Sequence, residues 1–224
     1  MEISPDNIIL WQSGIVKLNA TILYTWLVMI ILVGGSWLVT RQLSVQPKLS
    51  RRQHLLEIIV DAIADQIRDA SRQEPSQFLP FIGTLFIFVA TCNLLTLFPI
   101  YESPAGSLST TTALALCVFV AVPLYGIKNR GVGGYLKHFL QPSPFMLPFQ
   151  LISEISRTLS LAVRLFGNIM SGSMLVAILL SIVPLLFPMV MRAFGLLIGV
   201  IQAYVFAILA MVYIASGMRA QKSS

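Results

Sequence analysis

Residues 149–183 read FQLISEISRTLSLAVRLFGNIMSGSMLVAILLSIV, an unbroken run of 35 without a proline. As a helix it would extend about 50 Å at about 1.5 Å per residue, whereas the hydrocarbon core of a bilayer is about 30 Å thick. Such a helix either tilts strongly or keeps its first turns outside the hydrocarbon. The rest of the chain fits the same solvent. Of 224 residues, 56% are hydrophobic and only 11% charged, against about a quarter charged in a soluble domain. The mean hydropathy is +0.83. This composition excludes an ordinary soluble enzyme, a disordered tail and a disulfide scaffold, and indicates an integral membrane protein.

Working outward, the expected architecture is all-α. It is one membrane domain over 1–224 with about five crossings, the last two long and tilted, plus one amphipathic surface helix. The first span is 21–40, long enough to cross. In 55–74, apolar residues recur at helical spacing while Glu57, Asp61, Asp65 and Asp69 fall every fourth residue. That pattern predicts an amphipathic helix at the membrane surface. Its acidic stripe is either a docking face or a solvated one. Runs 78–100 and 110–127 form a hairpin. Segment 131–148, with Gly133, Gly134, Pro142, Pro144 and Pro148, reads as a loop or re-entrant turn. Pro184 and Pro188 then separate 149–183 from the last run, 190–218.

Charge placement sets orientation. Arg41, Lys48, Arg51, Arg52, Arg68, Arg72, Lys128, Arg130, Lys137, Arg219 and Lys222 are eleven of the fifteen basic residues. Five crossings put all of them on one side, so the positive-inside rule places the N-terminus outside and the C-terminus in the cytoplasm. The net charge of +6 sits at the ends of apolar runs, with no base-stacking aromatics interleaved, so nucleic acid is not an expected partner. Cys92 and Cys117 lie inside apolar runs without a CxxC or a Cys/His cluster, so neither a metal nor a disulfide framework is expected. No cofactor is implied. The first apolar run begins near Ile22 with no basic segment before it, so no cleavable leader is expected. His54 and His138 lie in loops and pair with nothing evident.

Arg164 is the anomaly. It lies 16 residues after Pro148 and 20 before Pro184, about 24 and 30 Å along a helix and too far for its side chain to reach either interface. A cation there costs at least about 2.5–3.5 kcal/mol on insertion scales. The only acid on the same run is Glu154, ten residues back, about 15 Å away along the axis and about 80° round. The counter-charge is therefore expected from another protein or a substrate, the bland alternative being an arginine that caps carbonyls at a helix break. Gln150, Ser153, Arg157, Ser160, Asn168 and Ser171 all fall within about 40° of Arg164. Serines alone would be read as small-residue packing; with Arg157, Arg164 and Asn168 the stripe must face protein or water. On the last run, Gln202 is a mid-membrane amide, suited either to an interhelical hydrogen bond or to a channel lining. Gly195 and Gly199 have GxxxG spacing and are read as packing residues.

SLAVRLFGN at 160–168 resembles the signature of subunit a of the F-type rotary ATP synthase (the ATPase A chain family). NLLTLFP at 93–99, GIKNRGVGGYLKHFLQP at 126–142 and IQAYVFAILAMVYI at 201–214 are similar to further stretches of that family. The resemblance covers roughly residues 55–217. It implies a membrane stator beside a rotating ring of c subunits, held by peripheral-stalk b subunits in a bacterial inner membrane. Two offset half-channels would carry protons or sodium ions to and from a carboxylate on the ring. It makes the chain an ion-translocating subunit and not an enzyme on its own. Arg164 matches the essential cation that separates the channels. Asn168 and Gln202 match polar residues near the ring, and Ser160, Arg157, Ser171 and Ser173 would line the same surface. The chemistry is coherent, because a guanidinium keeps its proton and so cannot relay it. It can instead lower the pKa of an approaching carboxylate and expel its ion.

The sequence also departs from the family. Ser173 stands where many members carry a carboxylate, Gly195 where some carry histidine or glutamate, and Thr96 where an acid is frequent. These replacements resemble a divergent second type of bacterial rotary ATPase, some members of which are associated with sodium. The competing reading is a secondary transporter whose anionic substrate binds Arg164. Paired repeats and broken helices in both halves would mark that class, and neither stands out here.

Overall fold

The computed structural model describes residues 9–13, 16–41, 51–71, 75–98, 101–140, 147–182 and 187–219. Among the described residues the regular structure is helical apart from one short antiparallel hairpin, strands β1 (Ile9–Ser13) and β2 (Val16–Asn19). The hairpin runs directly into α1 (Ala20–Thr40), whose entry residue Asn19 is extended. α2 (Arg51–Ser71) follows, then α3 (Leu79–Leu94), α4 (Leu108–Leu140), α5 (Leu147–Ile182) and α6 (Phe187–Arg219). Five of these helices contain stretches long and apolar enough to cross a membrane: α1, α3, α4, α5 and α6.

Prolines mark the helix starts. Pro80, Pro148 and Pro188 sit in the first turns of α3, α5 and α6, where a missing N–H leaves no bond unmade. α3 tightens into a 3-10 turn at Leu95–Leu97 before the chain becomes extended at Phe98. The expected loop over 131–148 is corrected in part. Helical structure continues from Gly131 to Leu140, broken only at Gly131, where φ is +73°. Only this one residue leaves the helical region, and glycine enters that left-handed conformation without steric penalty. The prolines that suggested a loop, Pro142 and Pro144, lie outside the described residues.

α6 is the centre of the bundle and packs on α2, α3, α4 and α5. Its inner side carries Ala203, Ala207, Ala210 and Ala215, all buried. Small residues let backbones approach closely where lipid offers no hydrophobic drive between helices. α1 is peripheral. It buries Val28 against Cys92 and Ala105, and leaves Trp26, Ile30, Val33 and Leu38 exposed.

α2 is amphipathic as its sequence requires. Ile67 joins the core, while Glu57, Asp61, Asp65 and Asp69 are exposed. An apolar cavity of about 520 Å³ lies between α2, α3 and α6. Beside it the Tyr204 hydroxyl donates to Gln66 Oε1 at 2.5 Å.

Candidate functional site

Arg164 occupies the middle of α5, seventeen residues from Leu147 and eighteen from Ile182, about 26 and 27 Å from the two ends. The buried residues of α5 are Leu161, Ala162 and Leu165, which share one core with Ala203, Phe206 and Ala207 of α6. They centre about 100° round the helix from Arg164. On its other side Leu159, Val163 and Met174 form an exposed apolar face. Arg164 therefore stands at the seam between the packed face and an open apolar one, and its side chain is exposed. Among the described residues, no hydrogen bond, ion pair or aromatic ring holds its guanidinium.

Arg157, two turns earlier and within about 20° of the same face, is held inside the chain. Its Nη1 lies 3.9 Å from Glu154 Oε2, and its guanidinium sits 5.6 Å from the centre of the Tyr213 ring on α6. The one acid on α5 is thus committed to Arg157.

Asn168 is half-buried, one turn beyond Arg164. Ser160 and Ser171 share that face and are exposed; the Ser171 hydroxyl donates back to the Asn168 carbonyl at 3.2 Å. Ser173 is also exposed and donates to the Met170 carbonyl at 2.8 Å. At nine residues from Arg164 it stands about 180° round the helix, so it does not share the arginine's face. Gln202 is on α6, 9% exposed, and its Nε2 has no acceptor among the described residues. Most buried amide groups have a partner, which sets this one apart.

The two glycines of α6 differ. A Cβ at Gly195 would meet nothing within 4 Å, whereas one at Gly199 would fall 2.9 Å from both Cβ and Cγ of Asn93. Asn93 was not singled out from the sequence, although an amide inside an apolar run is the same signal that picked out Gln202. The turn after α3 is polar as well. Ser103, Ser107 and Thr111 are buried, and the Thr111 hydroxyl is 3.2 Å from the Ser107 carbonyl. Tyr101 packs edge-on to Tyr24 at 5.1 Å. Burial and the neighbouring Cys92 push its phenol well above the ordinary tyrosine range, so it stays neutral. Among the described residues, no three His, Cys, Asp or Glu side chains converge as metal ligands would.

Residues 22–215 match the family model described as ATP synthase A chain. The chain is 71% identical over 222 residues to "ATP synthase subunit a 1" of Crocosphaera subtropica, covering 99% of this chain and 96% of that relative. It is 61% identical over 216 residues to "ATP synthase subunit a 2" of Acaryochloris marina, covering 96% and 92%. Against "ATP synthase subunit a" of Albidiferax ferrireducens the identity is 60% over 222 residues, covering 99% and 96%. A family match across most of the chain, relatives of this identity and a bundle of membrane-length helices lead to one conclusion: the chain belongs to the ATP synthase A chain family, as a multi-pass membrane component of an ATP synthase.

Proposed function

We propose that the chain is the fixed membrane half of a rotary motor, with Arg164 facing a ring of c subunits and separating two ion half-channels. The carrying observation is the contrast on α5: Glu154 and Tyr213 hold Arg157, while Arg164 has no partner among the described residues. An intramembrane cation needs a counter-charge. A ring carboxylate, arriving as the ring turns, supplies it.

Opposite Arg164 the ionised carboxylate is stabilised by the cation and gives up its ion. Away from Arg164 a bare carboxylate meets lipid, where it is costly, so it must first take up an ion. Each site therefore accepts an ion from one half-channel and releases it to the other, and the guanidinium between them blocks direct passage because it does not relay protons. A membrane potential biases the exchange by about 2.3 kcal/mol per charge per 100 mV.

Asn168 and Gln202 add neutral polar contacts on either side, with Ser160, Ser171 and Arg157 along the same stripe of α5. Ser173, on the opposite side of α5, would serve a separate stretch of channel. The exposed apolar face of α5 gives the ring a surface against which to slide, and a strong tilt lets so long a helix follow the ring's curve. In this reading peripheral-stalk b subunits hold the chain in a bacterial inner membrane, N-terminus outside, and it translocates ions without catalysing ATP chemistry itself.

The test is Arg164→Ala in the whole complex, assayed as ATP-driven ion uptake by inverted membrane vesicles. Uptake is expected to vanish while the amount of assembled complex is unchanged. Wild-type uptake would overturn the proposal.

A further inference from the structure

Asn93 lies in the last turn of α3, 3% exposed, and its Nδ2 donates to the Gly199 carbonyl of α6 at 2.8 Å. A carbonyl can only accept, so the amide must present its nitrogen. Inside a helix that carbonyl already accepts the N–H four residues on, and the Asn93 bond uses its second lone pair. The contact requires glycine. A Cβ at position 199 would sit 2.9 Å from Asn93 Cβ and Cγ and 3.2 Å from Nδ2, so the asparagine fills the space a side chain would take. Three residues further along α6, Gln202 is buried with its Nε2 donor unused among the described residues.

We infer that Asn93 is a positioning residue for ion translocation: its amide clamps α6 through Gly199 and so fixes the rotation and height at which Gln202 presents its free N–H. This rests on the reading of α5 and α6 as the ion-translocating surface. The clamp suits its place. It is neutral, so it sets no charge near Arg164. It also adds a directional tie to a core in which α3 contributes Ile82, Leu85 and Val89 and α6 contributes Ala203, Phe206 and Ala207. Apolar contact is non-directional and leaves the rotation of α6 less sharply set. One fixed donor–acceptor pair, one turn from Gln202, defines that rotation.

The test uses the assembled complex in vesicles and compares Asn93→Leu, Gly199→Ala and the pair Asn93→Ala with Gly199→Ala. Leucine matches asparagine in shape but has no donor, so packing is kept while the bond is lost. Complex content is expected to stay at wild-type level in Asn93→Leu and thermal stability to drop by no more than one hydrogen bond contributes, while ATP-driven ion uptake falls about tenfold. Gly199→Ala is expected to lose at least as much, since it expels the asparagine. In the double variant the new methyl fills the vacated space. Stability returns, and uptake stays low. Wild-type uptake in Asn93→Leu, or recovery of uptake in the double variant, would assign the pair to packing and overturn the inference. So would loss of the assembled complex in Asn93→Leu while the double variant assembles and pumps. Arg164→Ala in parallel separates the two readings: normal uptake there sinks the stator proposal, whereas abolished uptake there with normal Asn93→Leu sinks only the clamp.

Discussion

Arg157 and Arg164 share a helix and nearly a face, yet their surroundings differ completely. Around Arg157 the chain supplies a carboxylate, Glu154 at 3.9 Å, and an aromatic ring, Tyr213 at 5.6 Å. Around Arg164 it supplies an exposed face and no internal partner among the described residues. The same side chain, seven residues apart, is in one case a tie between α5 and α6 and in the other, on the proposed reading, a charge that meets a carboxylate of the ring. The difference lies in the partners within the chain and not in the side chain itself.

The comparison can be broken at its strong end first. Arg164→Lys keeps the charge but replaces a planar, permanently protonated group with a point charge that can lose its proton when desolvated. Coupled ATP synthesis in reconstituted vesicles is expected to fall at least a hundredfold, close to the alanine variant. Near-normal synthesis would mean that any cation suffices there.

The glycines of α6 offer an intermediate test of the same logic. Gly195→Ala enters open space, whereas Gly199→Ala collides with Asn93. Overpacking a tight contact typically costs about 1–3 kcal/mol, so only Gly199→Ala is expected to lower the unfolding temperature of the complex, read by thermal-shift scanning. Equal shifts would contradict the observed packing. The smallest effect belongs to the paired arginine. Arg157→Gln removes a long, partly exposed ion pair and a ring contact, together worth about 2 kcal/mol or less. Ion uptake is expected to stay within a few-fold of wild type. A loss comparable to that of Arg164→Ala would erase the distinction between the two sites.

How far the sequence carried this reading depends on the range of the interactions. α5 could be read directly, because no proline interrupts the chain between Pro148 and Pro184 and the apolar run leaves little alternative. The isolation of Arg164 was legible too, since the only acid on its run is ten residues away. The helix beyond Gly131 was missed because Gly133 and Gly134 signal turns, yet only Gly131 departs from helical geometry. The hairpin of β1 and β2 was missed because its strands are five and four residues long, too short for an alternating pattern to stand out. The partnership of Asn93 with Gly199 was beyond reach for another reason. The residues are 106 positions apart, and no local period encodes which faces of α3 and α6 meet. GxxxG spacing announced close approach on α6 without saying that only the second glycine is used, or that an amide fills it.

The central claim is that the mate of Arg164 rides on another subunit. Imaging the assembled complex by electron cryomicroscopy, at a resolution that shows side chains, tests it most directly. The expected map places the Arg164 guanidinium within about 4 Å of a ring carboxylate in at least one rotary state, the separation of an ion pair. A guanidinium satisfied by groups of its own chain, or turned away from the ring in every state, would contradict it.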